Sequence, residues 1–293
     1  MISPDVASAL LRELGFRHDA APAAGVHASF AFACDFDSDA PFADLPFDPA
    51  APAARYPSAD RAALHDLLDE AAALLAAHAP AARAFVDAQL DRAMIRRAAG
   101  GAASSSNRDH VGVCVLTNLH VAPDRLLVAV EAIVHEAIHQ HLYRVEVSQG
   151  PFCDLAAPRR YRSPWSGNRI PLHSLVHACF VYYGLLSLWC RLAAAPAVDA
   201  AVAALVRDRI AANLFGFAFV RGLLDGPTFP LHSVDPAIVA LIRNIADATA
   251  AASLPVGDAG RLVDALAACG TAPWVAGLSS ALGDLRVDHR RAA

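Results

Sequence analysis

Apolar residues recur at helical spacing through most of the chain. After Ser3-Pro4 such a run ends at Gly15, which predicts a short helix with proline at its first position. Leucines and alanines keep the same period from Ser58 to about His78, ahead of Pro80, and a further helix is predicted from Ala81 to about Ala99. Gly100-Gly101 and Ser104 to Ser106 read as a flexible break. VGVCVLTN, residues 111–118, changes the pattern: it is short, β-branched and bounded by turn residues, as a strand is. Asp124 then opens a helix to about Val147, and a Gly/Pro/Arg-rich loop fills 148–171. A nearly all-apolar helix follows from about Leu172 to Ala194, with more helical patterns at 197–224, 235–252 and 258–268. Residues 16–57 are rich in Pro, Ala, Asp and Phe with weak periodicity, and predict an irregular segment wrapped on the core. The expectation is one mainly α domain over residues 1–293, with a small β element next to the helix that starts at Asp124.

Composition narrows the chemistry. Of 293 residues 56% are hydrophobic and 18% charged, enough apolar material for a core. The formal charge of −5 offers no basic footprint for nucleic acid. The chain has no lysine, which excludes a Schiff-base amine and a P-loop lysine. Its glutamates are Glu13, Glu70, Glu131, Glu136 and Glu146 alone. The six cysteines form no CxxC spacing and read as reduced, buried thiols. MISPDVASALL lacks the layout of a signal peptide, and LVHACFVYYGLLSLWC is short and histidine-bearing for a membrane span. A cytoplasmic protein with neither nucleic-acid nor membrane partners is expected.

VHEAIHQH, residues 134–141, contains HExxH. Residues four apart on a helix lie roughly 40° apart around its axis, so His135 and His139 project from one face and can share a cation. Neutral imidazoles suit Zn, Fe, Ni or Cu. Glu136 points beside that site; in zinc peptidases this glutamate is the general base on metal-bound water. His141 faces elsewhere and reads as solvated or capping. The rival reading is a helix with two incidental histidines, against which stands the cost of burying them without a partner among Ile133, Val134, Ile138 and Leu142.

A catalytic zinc site takes three protein ligands. The metzincin pattern would need Gly at 142 and His at 145, where this chain has Leu142 and Val145. No glutamate follows Glu146, no carboxylate lies between Asp154 and Asp199, and Glu146 is three turns from His135 on the same helix. A His-His-Glu site is therefore expected to be hard to build. PLHSLVHACFVYYG supplies His173 and His177 instead, either as hydrogen-bonded core histidines or, for His177, as the third ligand beside His135 and His139.

VHEAIHQHL, YRSPWSGNRIP and LHSLVHACFVYYG, in that order over residues 111–185, resemble the HExxH-motif peptide-modification family that accompanies ribosomally made peptide natural products. Where that family has RP, this chain has Arg169-Ile170-Pro171. The resemblance implies an Fe(II)- and α-ketoglutarate-dependent oxygenase that hydroxylates a side chain, at its β-carbon, of a precursor peptide. Zinc or another divalent metal could occupy the site in purified protein, and a separate leader-peptide-binding protein is a further implied partner. A guanidinium fork suits the distal carboxylate of α-ketoglutarate, and the resemblance points to Arg169 first and Arg162 second. Ser163 and Trp165 would shape the pocket, and Arg221 is a further buried-cation candidate. In this reading Glu136 orients a ligand or water. The alternatives are a zinc metallopeptidase using HExxH and a non-catalytic peptide-binding relative.

Overall fold

The computed structural model describes residues 2–16, 29–36, 56–97, 101–195, 200–227 and 229–250, and the helix expected at 258–268 lies outside them. The fold is mainly α with a small sheet, as the periodicity predicts. The chain forms two compact units, one of residues 18–145 and one of residues 1–17 with 146–293.

The first of these holds a four-stranded sheet of β1 (Ala33–Asp35), β2 (Arg92–Arg96), β3 (Ala103–Ser105) and β4 (Val113–Thr117), in the order β1-β2-β4-β3. β1, β2 and β4 run parallel, and β3 pairs antiparallel with β4. α2 (Ser58–His78) and α3 (Pro80–Gln89) form the crossover that parallel β1 and β2 require. Most of the expected 16–57 wrapping segment lies outside the described residues, but β1 is cut from it. The helix expected from 81 to about 99 stops at Gln89, where Leu90 turns extended at φ −112°, ψ 126°. Ala93, Met94 and Ile95 then become the buried centre of β2, with Ala93 and Met94 paired on both sides. RAMIR has no strong preference of its own, so the central position in a ladder decides its state. Ser104 and Ser105, expected in a flexible break, form the β3 edge for the same reason.

α4 (Arg125–Gln149) leaves this unit with its last turn. Its segment in the sheet unit is fastened to β4 by an amide: Gln140 Oε1 accepts from the Gly112 N–H at 2.7 Å, and Gln140 Nε2 donates to the Val113 carbonyl at 2.9 Å. Gly112 sits at φ +86°, and a Cβ there would run into the Asp91 carboxylate, so the turn into β4 requires glycine.

The other unit packs α1 (Pro4–Leu14), α5 (Leu172–Ala194), α6 (Ala200–Asp225) and α7 (Pro236–Ala250). Ser3 caps α1 by accepting from the Val6 N–H, with Pro4 opening the helix. α5 has the length and hydropathy of a membrane span, yet 89% of its most apolar window is buried by the fold. Phe180, Tyr183 and Trp189 on it are fully buried, so its all-round apolar surface belongs to a core helix. The 148–171 stretch, expected as a loop, contains a two-stranded ladder of β5 (Arg160–Arg162) and β6 (Arg169–Pro171), and β6 runs straight into α5. Residues 152–154 lie antiparallel to 233–235, with Asp235 N–H donating to the Phe152 carbonyl and Asp154 N–H to that of Ser233.

Candidate metal centre

The HExxH turn of α4 places its residues on two faces. His135 and His139 are half-buried, with ring centroids 4.9 Å apart, and His139 stacks on Tyr143. Glu136 and Gln140, also four apart, are buried among the sheet's elements. Glu136 is 1% exposed, and its Oε1 accepts a 2.6 Å hydrogen bond from the Ser104 hydroxyl on the β3 edge. The same Oε1 lies 4.0 Å from His135 Nε2, and Oε2 is buried with no hydrogen-bond partner among the described residues. The carboxylate that a peptidase would turn on water is thus tied to a strand. His141, expected in solvent or at a cap, is buried with its ring edge-on to Phe85 at 5.4 Å, because α4 is covered on that side too.

The unit that contains α5 builds a second constellation. The last turn of α4 carries Glu146, and the first two turns of α5 carry His173 and His177. Nε2 of His173 donates to Glu146 at 3.0 Å from Oε1 and 2.9 Å from Oε2, and His177 Nε2 lies 3.2 Å from Oε2. The imidazoles are adjacent, with centroids 4.2 Å apart. The Phe152 N–H also donates to Glu146 Oε1 at 2.9 Å, closing the turn that follows α4 around the carboxylate. Among the described residues this is the group whose ligating atoms could share one metal ion.

The spacing fits such an ion. Ligands bound at about 2.0–2.2 Å and separated by 90–110° stand roughly 3–3.5 Å from one another. The His173 and His177 contacts to Oε2, at 2.9 and 3.2 Å, match that figure closely. His177 is 1% exposed, Glu146 is buried, and the His173 side chain is 18% exposed, so the way in is on the His173 side. Burial pushes the His177 imidazole down to about 4, against the opposing pull of Glu146, so it is neutral at neutral pH. Burial alone would raise the Glu146 carboxyl, but His173, His177 and the Phe152 N–H outweigh it and hold it well below the usual carboxylate range. An ionised carboxylate beside a neutral imidazole is the protonation state a metal needs.

A His-His-Glu grouping, expected to be hard to build, is assembled from α4 and α5. Glu146 is out of reach of His135 along α4, but the loop 148–171 folds back and lays α5 against it. His173, set aside as a core histidine, is the residue that composition and period could not single out. His177 keeps a place among the candidate ligands, in the unit 146–293, whereas His135 and His139 belong to the unit 18–145, and each set is described within its own unit.

The remaining candidates fall on the surface or in packing roles. Arg162 and Arg169 are both exposed and are direct partners across the β5–β6 ladder. Arg221, expected as a buried cation, is about half exposed and pairs with Asp247 at 3.2 Å. Trp165 stacks on Tyr182 at 4.4 Å and meets Phe217 edge-on, and Gly216 of α6 admits its ring, since a Cβ at that position would overlap the indole. Ser163 is buried, with its hydroxyl accepting from the Ser166 N–H in the turn between β5 and β6. Burial raises the thiols of Cys153 and Cys179 to about 12, so they stay protonated in the metal-free chain. No family model matches the chain, and no curated protein does.

Proposed function

We propose that this protein is a metal-dependent oxygenase that uses Fe(II) and α-ketoglutarate to hydroxylate a side chain of a ribosomally made precursor peptide. The observation that carries the reading is the convergence of His173 Nε2, His177 Nε2 and the Glu146 carboxylate at ligand spacing. Two histidines and one carboxylate are the ligand set of non-haem Fe(II) oxygenases, which leave coordination positions open for a 2-oxo acid and O₂. Iron bound there would supply oxidising power for an unactivated C–H bond. The chain's own part is to hold three ligands, two of them buried, and to keep His177 neutral and Glu146 ionised. The order of the three sequence motifs supports the co-substrate and the peptide.

A second arrangement, with the metal on the HExxH pair, is favoured by the adjacent rings of His135 and His139. Metal content separates the two. Glu146→Gln and His173→Ala should empty a site built on the triad, whereas His135→Ala and His139→Ala should empty one built on HExxH. A zinc peptidase could use the same two-histidine, one-glutamate set. Against it stands Glu136, whose Oε1 is committed to Ser104.

The decisive measurement is anaerobic addition of Fe(II) and α-ketoglutarate, followed by O₂. A visible metal-to-ligand charge-transfer band and succinate formation are expected, with one oxygen atom gained by the peptide. Zinc-supported peptide cleavage without succinate would assign the protein to the peptidases instead.

A further inference from the structure

We infer that the exposed face of the β5–β6 ladder is a docking surface for an extended, acidic stretch of the peptide substrate, held by Arg162 and Arg169. The inference rests on the peptide-substrate part of the proposed function.

Alternate residues of a strand share a face, so Arg160 and Arg162 lie together, and the antiparallel register sets Arg169 directly opposite Arg162. Tyr161 and Ile170 take the other face, with Tyr161 buried. One side of a ladder of two three-residue strands is therefore packed, and the other presents three guanidiniums. Arg160 is partly used, since its Nε and Nη2 donate to the Arg169 carbonyl at 3.1 and 2.8 Å. The guanidiniums of Arg162 and Arg169 are exposed, and neither has a side-chain partner among the described residues. Like charges directly across a ladder destabilise it. In a chain of formal charge −5 without lysine, such a face marks a place where negative charge is received.

The spacing selects the occupant. Cross-strand partners stand about 5 Å apart, so the two guanidiniums can grip one carboxylate from both sides. Arg160 and Arg162 stand about 7 Å apart, the separation of carboxylates at positions i and i+2 of an extended peptide. A buried small dicarboxylate would instead need its cation out of solvent, where neither arginine lies. Placement fits as well. β6 ends at Pro171, and α5 begins at Leu172 and carries His173 on its first turn, so a peptide held on the ladder is delivered to the exposed side of the triad.

The test is fluorescence anisotropy on the full chain, with a labelled peptide alternating Asp and Ser and a matched peptide alternating Lys and Ser. The acidic peptide alone should bind, and its affinity should fall as salt rises. Arg162→Gln combined with Arg169→Gln should weaken it by about tenfold or more, because both gripping charges are lost. Equal binding of the acidic peptide by this double variant, or no binding by the unmodified chain, would overturn the inference. So would a double variant that keeps the peptide but loses α-ketoglutarate, read by titrating the charge-transfer band, since the arginines would then belong to the small dicarboxylate. The charge-transfer band formed by Fe(II) and α-ketoglutarate without any peptide tests the oxygenase reading separately, so failure of one can be told from failure of the other.

Discussion

Two turns of polar residues on α4 have opposite surroundings. At HExxH the carboxylate faces a sheet and the imidazoles stay half-buried, with Glu136 held by Ser104 and Gln140 by the β4 backbone. At the end of the same helix the carboxylate faces imidazoles, and Glu146 gathers His173 and His177 from α5. The first glutamate is spent on docking a helix to strands, and the second is available to a cation. A motif's spacing fixes which residues share a helix face, but what covers that face decides which of them do chemistry.

The largest effect should come from breaking the second arrangement. His177→Ala takes a neutral polar partner from the buried, ionised Glu146 and leaves a cavity in its place, which together should cost about 3–5 kcal/mol. Urea unfolding of the metal-free protein should show that loss, together with a loss of bound metal. Glu146→Gln should lose the metal too, yet be less destabilising, because it removes the charge that needed partners. Equal destabilisation by the two variants would break the contrast between a carboxylate serving a cation and one serving the fold.

At the sheet the corresponding deletion is Gln140→Ala, which strips partners from the Gly112 N–H and the Val113 carbonyl. Two backbone groups left unpaired should cost on the order of 3 kcal/mol, with metal content unchanged. The loss is read from the urea midpoint and the metal by elemental analysis. A fall in bound metal would show that the two ends of α4 are energetically coupled.

The strand at 113–117, the long α4 and the apolar α5 were legible because period and length agree with their final surroundings. β2 was not, since RAMIR owes its state to neighbours on both sides that are distant in sequence. The ligand candidates divide in the same way. His135, His139 and His177 stand out through helical spacing and apolar flanks. Glu146 and His173 come together only because 148–171 reverses the chain, through a two-stranded ladder and the pairing of 152–154 with 233–235. Reach measured along one helix could not foresee a partner brought in by the next.

Acid separates the two regions further. The His177 imidazole is lowered from 6.5 to about 4, so below pH 6.5 the unfolded chain takes up a proton that the native state refuses. Stability of the metal-free protein should therefore fall as pH drops through that window, by about 2 kcal/mol at about pH 5. Glu146 is depressed from 4.5, so its contribution is intact above that pH and is lost only in stronger acid. Urea midpoints at about pH 7.5 and about pH 5 give the slope, and His177→Phe should flatten it. A slope unchanged in that variant would place the proton uptake elsewhere.

The smallest effect probes the first glutamate. Ser104→Ala removes one hydrogen bond from the Glu136 carboxylate at the β3 edge and should cost about 1 kcal/mol. In the oxygenase reading the metal, the charge-transfer band and succinate formation all survive, because Ser104 only helps to seat α4 on the sheet. A peptidase using Glu136 as its base would respond differently, since losing the Ser104 bond changes the basicity and freedom of the group that must take the water's proton. Peptide cleavage whose pH profile shifts between the parent chain and Ser104→Ala would return Glu136 to the reacting centre. An unmoved succinate yield, with stability lower by that small amount, would keep Glu136 with the strands.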